Sequence, residues 1–469
     1  MSYNSKSLID VKEIGEYYEI IDAGLDFLLN QSKKLDLEAN IKANLLSSGI
    51  TRYARSQITQ HTDIFSIAFT IVIMKNKKLT RAYTTKTDLK SLERFLIKTK
   101  DGLNKVPETP FLQGLPDPKI GVVVDLSGRE WSIEDRTDTV IEAVNAAENI
   151  RKDIILAGTA TEEKSYKRIV TTNGVDVEDS NQSNYFKTNA ITGDPDNRGY
   201  GEEDVYWRFK KPQISKMAID ASQTAIDTTK LIDLPAPNDY EVLLAPTAVD
   251  GLLTFVALSL DPVSYHESNT FATDRLGDQI FDKKLTIEDL PRDPHQANIV
   301  GSFDNEGTPT SNKTLFDSGV LKFIPYNSFF ASKFLEDKNL TTGNDLSPFS
   351  YMLSPFPISL SINAGSKGID DQIYEIEDGL YIKSFYYNRF TVRNKGGLTG
   401  LTRNGLYYVK NGEIKGAVRN LRYTESFVDA FAPNNVISVS KEREQNFVVN
   451  SPSIHLKKYH FSSVAHTKK

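Results

Sequence analysis

Six histidines, His61, His266, His295, His455, His460 and His466, are the only imidazoles in this 469-residue chain, and cysteine is absent. A hydrolytic zinc centre needs two imidazoles on one helical face and a carboxylate that activates water. No two of these histidines stand four apart. His266-Glu267 supplies an imidazole beside an acid, but Ser268-Asn269-Thr270-Phe271 follows, so no second histidine stands four or five residues on. Pro262 separates the pair from the apolar run before it, and a loop is predicted there. His455 and His460 lie in a strand-like segment at an odd offset, which sends side chains to opposite faces. Asp304 and Glu306, two apart in Gly301-Ser302-Phe303-Asp304-Asn305-Glu306-Gly307, have the residue types of a metal or acid/base pair and equally those of an acid-rich turn. Gly396-Gly397 lacks the strand, glycine loop and helix of a phosphate cradle. The missing cysteine removes thiolate ligands, a thiol nucleophile and disulfides together.

The elements that would position such residues follow from composition and periodicity. Hydrophobic residues make up 39% and charged residues 25%, a globular profile, and the length suits two cores. The net charge is −6 with both signs interspersed and no polybasic arm, which argues against nucleic acid as a partner. The most apolar run, Val242 to Leu260, is interrupted by Pro246 and Asp250, whereas a bilayer span needs about 20 nearly unbroken apolar residues. A buried strand followed by a buried helix is predicted instead. The N-terminal residues carry no apolar signal core, so a cytoplasmic location and no membrane association are expected.

Helices are predicted over Val11 to Lys33, where Tyr17, Ile21, Leu25 and Leu28 form a stripe, and over Asp88 to Lys98. Ser132 with Asp135 resembles a capping box that opens a helix to Ile150. Another helix is predicted from Ile214 to Ile232. Hairpins are predicted around Lys75-Asn76-Lys77-Lys78 and around Asn173-Gly174. Four prolines between Lys105 and Lys119 mark an irregular connection, and Gly193 to Gly201 reads as turn-rich. Beyond Leu260 strand-like runs alternate with turns at Asp317-Ser318-Gly319, Asp378-Gly379 and Asn411-Gly412. The expected architecture is α+β: a mixed α/β N-terminal domain over residues 1–235, then a mainly antiparallel β C-terminal domain over 236–469.

Several motifs, in order, resemble the TldD/PmbA family of peptidase-related proteins. Asp304-Asn305-Glu306-Gly307-Thr308-Pro309-Thr310, leading to Ser318-Gly319-Val320-Leu321, is similar to the family's Asp-x-Glu-Gly-x-Pro-Thr block and the turn after it. Thr342-Gly343-Asn344, Gly379-Leu380-Tyr381-Ile382 and the hairpin through Asn411-Gly412-Glu413-Ile414 match further segments. Asp304, Glu306, Gly307, Gly319, Gly379 and Gly412 are thereby family-signature structural positions. Thr399-Gly400-Leu401-Thr402 departs from the family's Thr-Gly-Asp loop. Ser268 to Gln279 resembles the stretch that follows the family's zinc helix. This places the His-Glu-x-x-x-His positions on Thr254, Phe255 and Ser259, and excludes His266-Glu267 from them. Asn450-Ser451-Pro452-Ser453 resembles the Pro-Ser ending of the noncatalytic TldE/PmbA branch, where the catalytic branch carries a cysteine ligand.

The resemblance implies a noncatalytic subunit that holds no metal or other cofactor. Its partner would be a TldD-type chain carrying the zinc, and the heterodimer would degrade unfolded or leader-type peptides. Strand addition at an open sheet edge would suit varied peptide sequences. Two other readings remain open from the sequence: a self-contained metallopeptidase with an unrecognised site, and a homodimeric peptide-binding or regulatory protein, since the family has been linked to DNA gyrase.

Overall fold

Long antiparallel hairpins dominate the N-terminal half. In the computed structural model, which describes residues 11–297, 301–345, 354–357, 359–446 and 448–465, the elements run α1 (Val11–Lys34), β1 (Glu38–Ala54), β2 (Gln57–Lys75), β3 (Lys78–Thr84), α2 (Leu89–Gly102), α3 (Ile133–Ile150), β4 (Ile155–Thr171), β5 (Asp176–Thr192), β6 (Gly199–Trp207) and α4 (Ile214–Asp227). His466 lies outside the described residues. The six strands form one antiparallel sheet in the order β3-β2-β1-β4-β5-β6. Strand alternation sends one set of side chains to each face. On one face Ile41, Ala43, Leu45, Ile71 and Ile73 pack with Ile21, Leu25 and Leu28 of α1 and Leu92 and Leu96 of α2. Further along the same face, Leu156, Ala160, Phe186 and Ala190 meet Val140 and Ala143 of α3 and Ala218, Ala221 and Ala225 of α4. Ser132 and Asp135 make the full capping box at the start of α3. Among the described residues no helix packs on the other face, which carries polar side chains such as Lys42, Arg52, Thr161 and Lys187.

The C-terminal half continues with β7 (Leu231–Ile232), β8 (Asn238–Leu244), α5 (Pro246–Leu258), α6 (Pro262–His266), β9 (Ile287–Asp289), β10 (Lys313–Asp317), β11 (Val320–Leu321), α7 (Ser328–Phe334) and β12 (Leu360–Ile362). It ends with α8 (Ile369–Tyr374), β13 (Asp378–Phe390), β14 (Gly397–Lys410), β15 (Glu413–Val418), β16 (Leu421–Ser426), α9 (Phe427–Ala430), β17 (Val436–Gln445) and β18 (Val449–Val464). The sheet is mixed but mostly antiparallel. β8, β13, β14, β16 and β18 pair in a ring, because β16 bonds both β14 and β18, and this closes a small barrel. Val242, Leu244, Leu380, Ile382, Leu406, Tyr423, Ile454 and Phe461 belong to its apolar core. Closure leaves these five strands with few free edges. No helix among the described residues is long and apolar enough to cross a membrane.

Four sequence expectations are corrected. The helix read to Ile232 ends at Asp227, and Leu231 and Ile232 instead pair in parallel with Ala417 and Val418. Asp378-Gly379 is not a turn but the start of β13, where Gly379 stands between Glu241 and Val409. The segment read as turn-rich to Gly201 already begins β6 at Gly199. Its glycines are there for close approach: a Cβ on Gly199 or Gly201 would lie 1.7 or 1.9 Å from the carbonyl oxygen of Ala225 or Ala221. His266, expected in a loop, closes the short helix α6.

Side-chain bonds join the halves. Lys383 of β13 bonds Glu203 of β6 and, at 3.1 Å, Thr224 of α4. Arg208 donates to the carbonyl oxygens of Pro294 and Gln296, each at 2.7 Å.

Candidate functional site

Helix α5 carries Thr254 and Phe255 and is capped by Ser259, the three positions to which the family resemblance assigns the zinc motif. Pro246 opens it at a position whose missing N–H costs nothing. Ala248, Val249, Leu252, Leu253, Val256 and Ala257 are buried, while Thr247, Gly251, Thr254, Phe255 and Leu258 form a half-open stripe. Thr254 and Phe255 therefore lie on the accessible side and Ser259 does not. The Thr254 hydroxyl donates to the Asp250 carbonyl oxygen at 2.9 Å, and the Phe255 ring meets Phe390 edge-on at 4.8 Å. Ser259, 2% exposed, donates its hydroxyl to the Phe255 carbonyl oxygen at 2.8 Å. Zinc requires deprotonated or lone-pair donors converging on one point. A benzyl group and two hydroxyls spent on helix carbonyls do not fit that requirement. Among the described residues no three His, Asp or Glu side chains gather closely enough to hold a metal ion.

The Pro-Ser ending returns to this helix. Ser451 Oγ lies 2.6 Å from Asp250 Oδ1 and 3.0 Å from the Pro246 carbonyl oxygen, and Asn446 Nδ2 donates to Asp250 Oδ2. Burial pushes the Asp250 carboxyl well above the usual carboxylate range, against the pull of those two bonds. Glu444 of β17 and Asp204 of β6 act in the same sense, so the polar face of the N-terminal sheet adjoins α5 here.

That face carries a pocket of its own. Ile50, Arg52, Thr159, Thr161, Glu163, Ser183, Tyr185 and Tyr206 line an open pocket of about 300 Å³. Tyr185 and Tyr206 stack at 4.3 Å, and Lys187 pairs with Glu202 at 2.9 Å. Burial pushes the Asp204 carboxyl up to about 6 and raises that of Glu163. At the far end of the sheet β3 covers β2 only from Phe69 to Lys75. The outer edge of β2 from Gln57 to Ala68 has no strand partner among the described residues, and Ile64 and Phe65 are exposed along it. A free edge of this kind can pair with an extended chain. Sequence reasoning missed it, because the β1–β2 hairpin turns on Arg55-Ser56 at φ of 53° and 58°, without the glycine or asparagine that usually signals such a turn.

The remaining candidates have structural partners. His266 Nε2 is 2.8 Å from the Tyr326 hydroxyl, its ring stacks on Phe334 at 4.2 Å, and Glu267 pairs with Lys333 at 3.8 Å. His455 and His460 bond Glu241 and Asp239 at 2.7 and 2.6 Å, and His61 bonds Thr51 at 3.0 Å. His295 lies edge-on against Phe209. Asp304 is fully buried and accepts from the backbone N–H groups of Glu306, Thr308 and Asp345 at 2.9 to 3.1 Å. Glu306 accepts from the Ser328 N–H at 3.0 Å, its hydroxyl at 2.5 Å, and the Thr341 hydroxyl at 2.9 Å. The same turn docks on the N-terminal sheet, where Lys42 donates to Asn305 Oδ1 at 2.8 Å and Lys167 to the Phe303 carbonyl oxygen at 2.6 Å. Gly307, Gly319 and Gly412 take positive φ in turns, whereas Gly379 is a strand residue.

A helix-backed antiparallel sheet joined to a small closed barrel places the chain in the α+β class. The match to family models is specific: residues 237–463 match the PmbA/TldA metallopeptidase C-terminal domain and residues 127–228 the central domain. The chain belongs to the PmbA/TldD family. It is 25% identical over 305 residues to an uncharacterized protein of Methanocaldococcus jannaschii, spanning 64% of this chain and 68% of that one. Its fold is that of TldE from Thermococcus kodakarensis, with a TM-score of 0.85 and 16% identity over 94% of this chain and 100% of that one. A protein of Thermotoga maritima, described as a candidate modulator of DNA gyrase, aligns with a TM-score of 0.82 and 20% identity over 94% and 100% of the two chains.

Proposed function

We propose that this chain is a noncatalytic TldE/PmbA-type subunit, which pairs with a zinc-bearing TldD-type chain in the cytoplasm and helps it degrade unfolded or leader-type peptides. The observation that carries the proposal is α5. Thr254 and Phe255 occupy the open side of the helix, and Ser259 is buried behind it with its hydroxyl bonded to the Phe255 carbonyl oxygen. The family's first ligand, water-activating carboxylate and second ligand would have to stand at these positions.

In this reading the chain contributes one wall of a shared cleft. The open edge of β2 would hold substrate backbone, which recognises peptides without regard to sequence. The division of labour near residue 235 would leave the N-terminal part as the peptide wall and the C-terminal part as the scaffold of the empty zinc position. The test is reconstitution with a cognate TldD-type chain and a fluorogenic unstructured peptide. Cleavage is expected only when both chains are present. Equal cleavage by the zinc-bearing chain alone would refute the proposal.

A further inference from the structure

The pocket on the polar sheet face is a built site with a recognisable charge pattern. β4 carries Thr159, Thr161 and Glu163 at alternate positions, so all three point to the same face. Arg52 of β1 stands directly opposite Thr159 in the antiparallel register, and Glu163 stands opposite Ser48. The cation and the anion are therefore separated by four residues along the strands, a rise of about 13 Å. Between them lie Thr161 and the stacked Tyr185–Tyr206 pair, and Ser183 stands directly opposite Glu163. Among the described residues neither the Arg52 guanidinium nor the Glu163 carboxylate has a hydrogen-bond or ion-pair partner, although Glu163 is only partly exposed.

Two unpaired opposite charges at that separation fit a ligand with an ammonium group at one end and a carboxylate at the other. An extended chain of four residues spans about 13–14 Å. Hydroxyls between the charges can bond a peptide backbone, and tyrosine faces favour a neighbouring cation. A volume of about 300 Å³ admits a short peptide with small side chains and no more.

We propose that this pocket binds short free-ended peptides as zwitterions, with the α-ammonium group at Glu163, the α-carboxylate at Arg52 and the backbone along β4. The proposal deepens the subunit reading by naming a class of peptide, and rests on that reading for where such peptides arise. They are what cleavage of a longer chain in an adjoining cleft releases.

The experiment is calorimetric titration of the full chain, without a partner, by tetraalanine, its N-acetyl derivative and its C-terminal amide. Tetraalanine is expected to bind saturably, and each capped form about tenfold more weakly, the scale of one lost charge-assisted contact. Glu163→Gln is expected to bind the free and N-acetyl forms equally while still discriminating against the amide. Arg52→Met is expected to show the reverse. Circular dichroism confirms that both variants fold. No saturable heat at millimolar peptide, equal binding of all three peptides, or unchanged discrimination in both variants overturns the assignment. Because neither partner nor cleavage is involved, failure here leaves the subunit proposal standing, and a failed reconstitution leaves this result standing.

Discussion

At the scale of single residues, the acids that looked most like chemistry are the ones most fully consumed by structure. Glu306 accepts from three groups, and burial beside Asp304 and Asp345 holds its carboxyl well above the usual range. Glu306→Ala would leave those donors facing a cavity, and is expected to cost about 2–4 kcal/mol in urea unfolding. Glu306→Gln keeps the shape and an acceptor, and is expected to cost about half as much or less. Equal losses in the two variants would contradict this account. Asp304, pushed up to about 6 by burial, carries a pH signature. A carboxyl raised in the folded state holds its proton longer there than in the unfolded chain, where the value is about 4. Its stabilising effect is complete below about pH 4 and is lost as pH rises through about 6. Urea titrations across that window should therefore show Asp304→Asn with a flatter fall in stability than the parent, the difference being on the order of 2 kcal/mol. A parallel pair of curves would remove Asp304 from this role. The sequence singled out Asp304 and Glu306 by their place in an acid-rich turn, and the family resemblance pointed to Thr254, Phe255 and Ser259 in and just after α5. Neither could show that each polar group had a partner, because those partners, Ser328, Thr341 and Asp345, come from distant segments.

At the scale of elements, what the sequence made legible was local. The capping box of α3, the hairpins at Asn173-Gly174 and Asn411-Gly412, and the buried helix α5 all rest on signals within a few residues. What it hid was set by long-range contact. β1 escaped notice because its turn uses Arg55-Ser56, and β6 because Gly199 and Gly201 read as loop punctuation while serving close packing against α4. Gly201→Ala tests that role. The added methyl meets the Ala221 carbonyl oxygen, so α4 must move off β6 at a cost of about 2–3 kcal/mol. Hydrogen exchange should quicken at the β5–β6 pairing while the β1–β2 hairpin keeps its protection. Uniform change, or none, would show that α4 does not depend on that contact.

At the scale of the whole molecule, the barrel and the helix-backed sheet are held together by Lys383 with Glu203 and by the buried turn around Asn305, which keeps the polar face beside α5. Barrel closure was not legible, since it depends on β16 meeting both β14 and β18 across widely separated stretches of chain. The fold thus retains the frame of a peptidase-related family while α5 carries a hydroxyl and a benzyl group on its half-open side. The most direct test is the zinc content of the purified chain, measured by elemental analysis after exposure to excess zinc and gel filtration. The expected result is far less than one zinc per chain, and retention of one tightly held zinc would contradict the account.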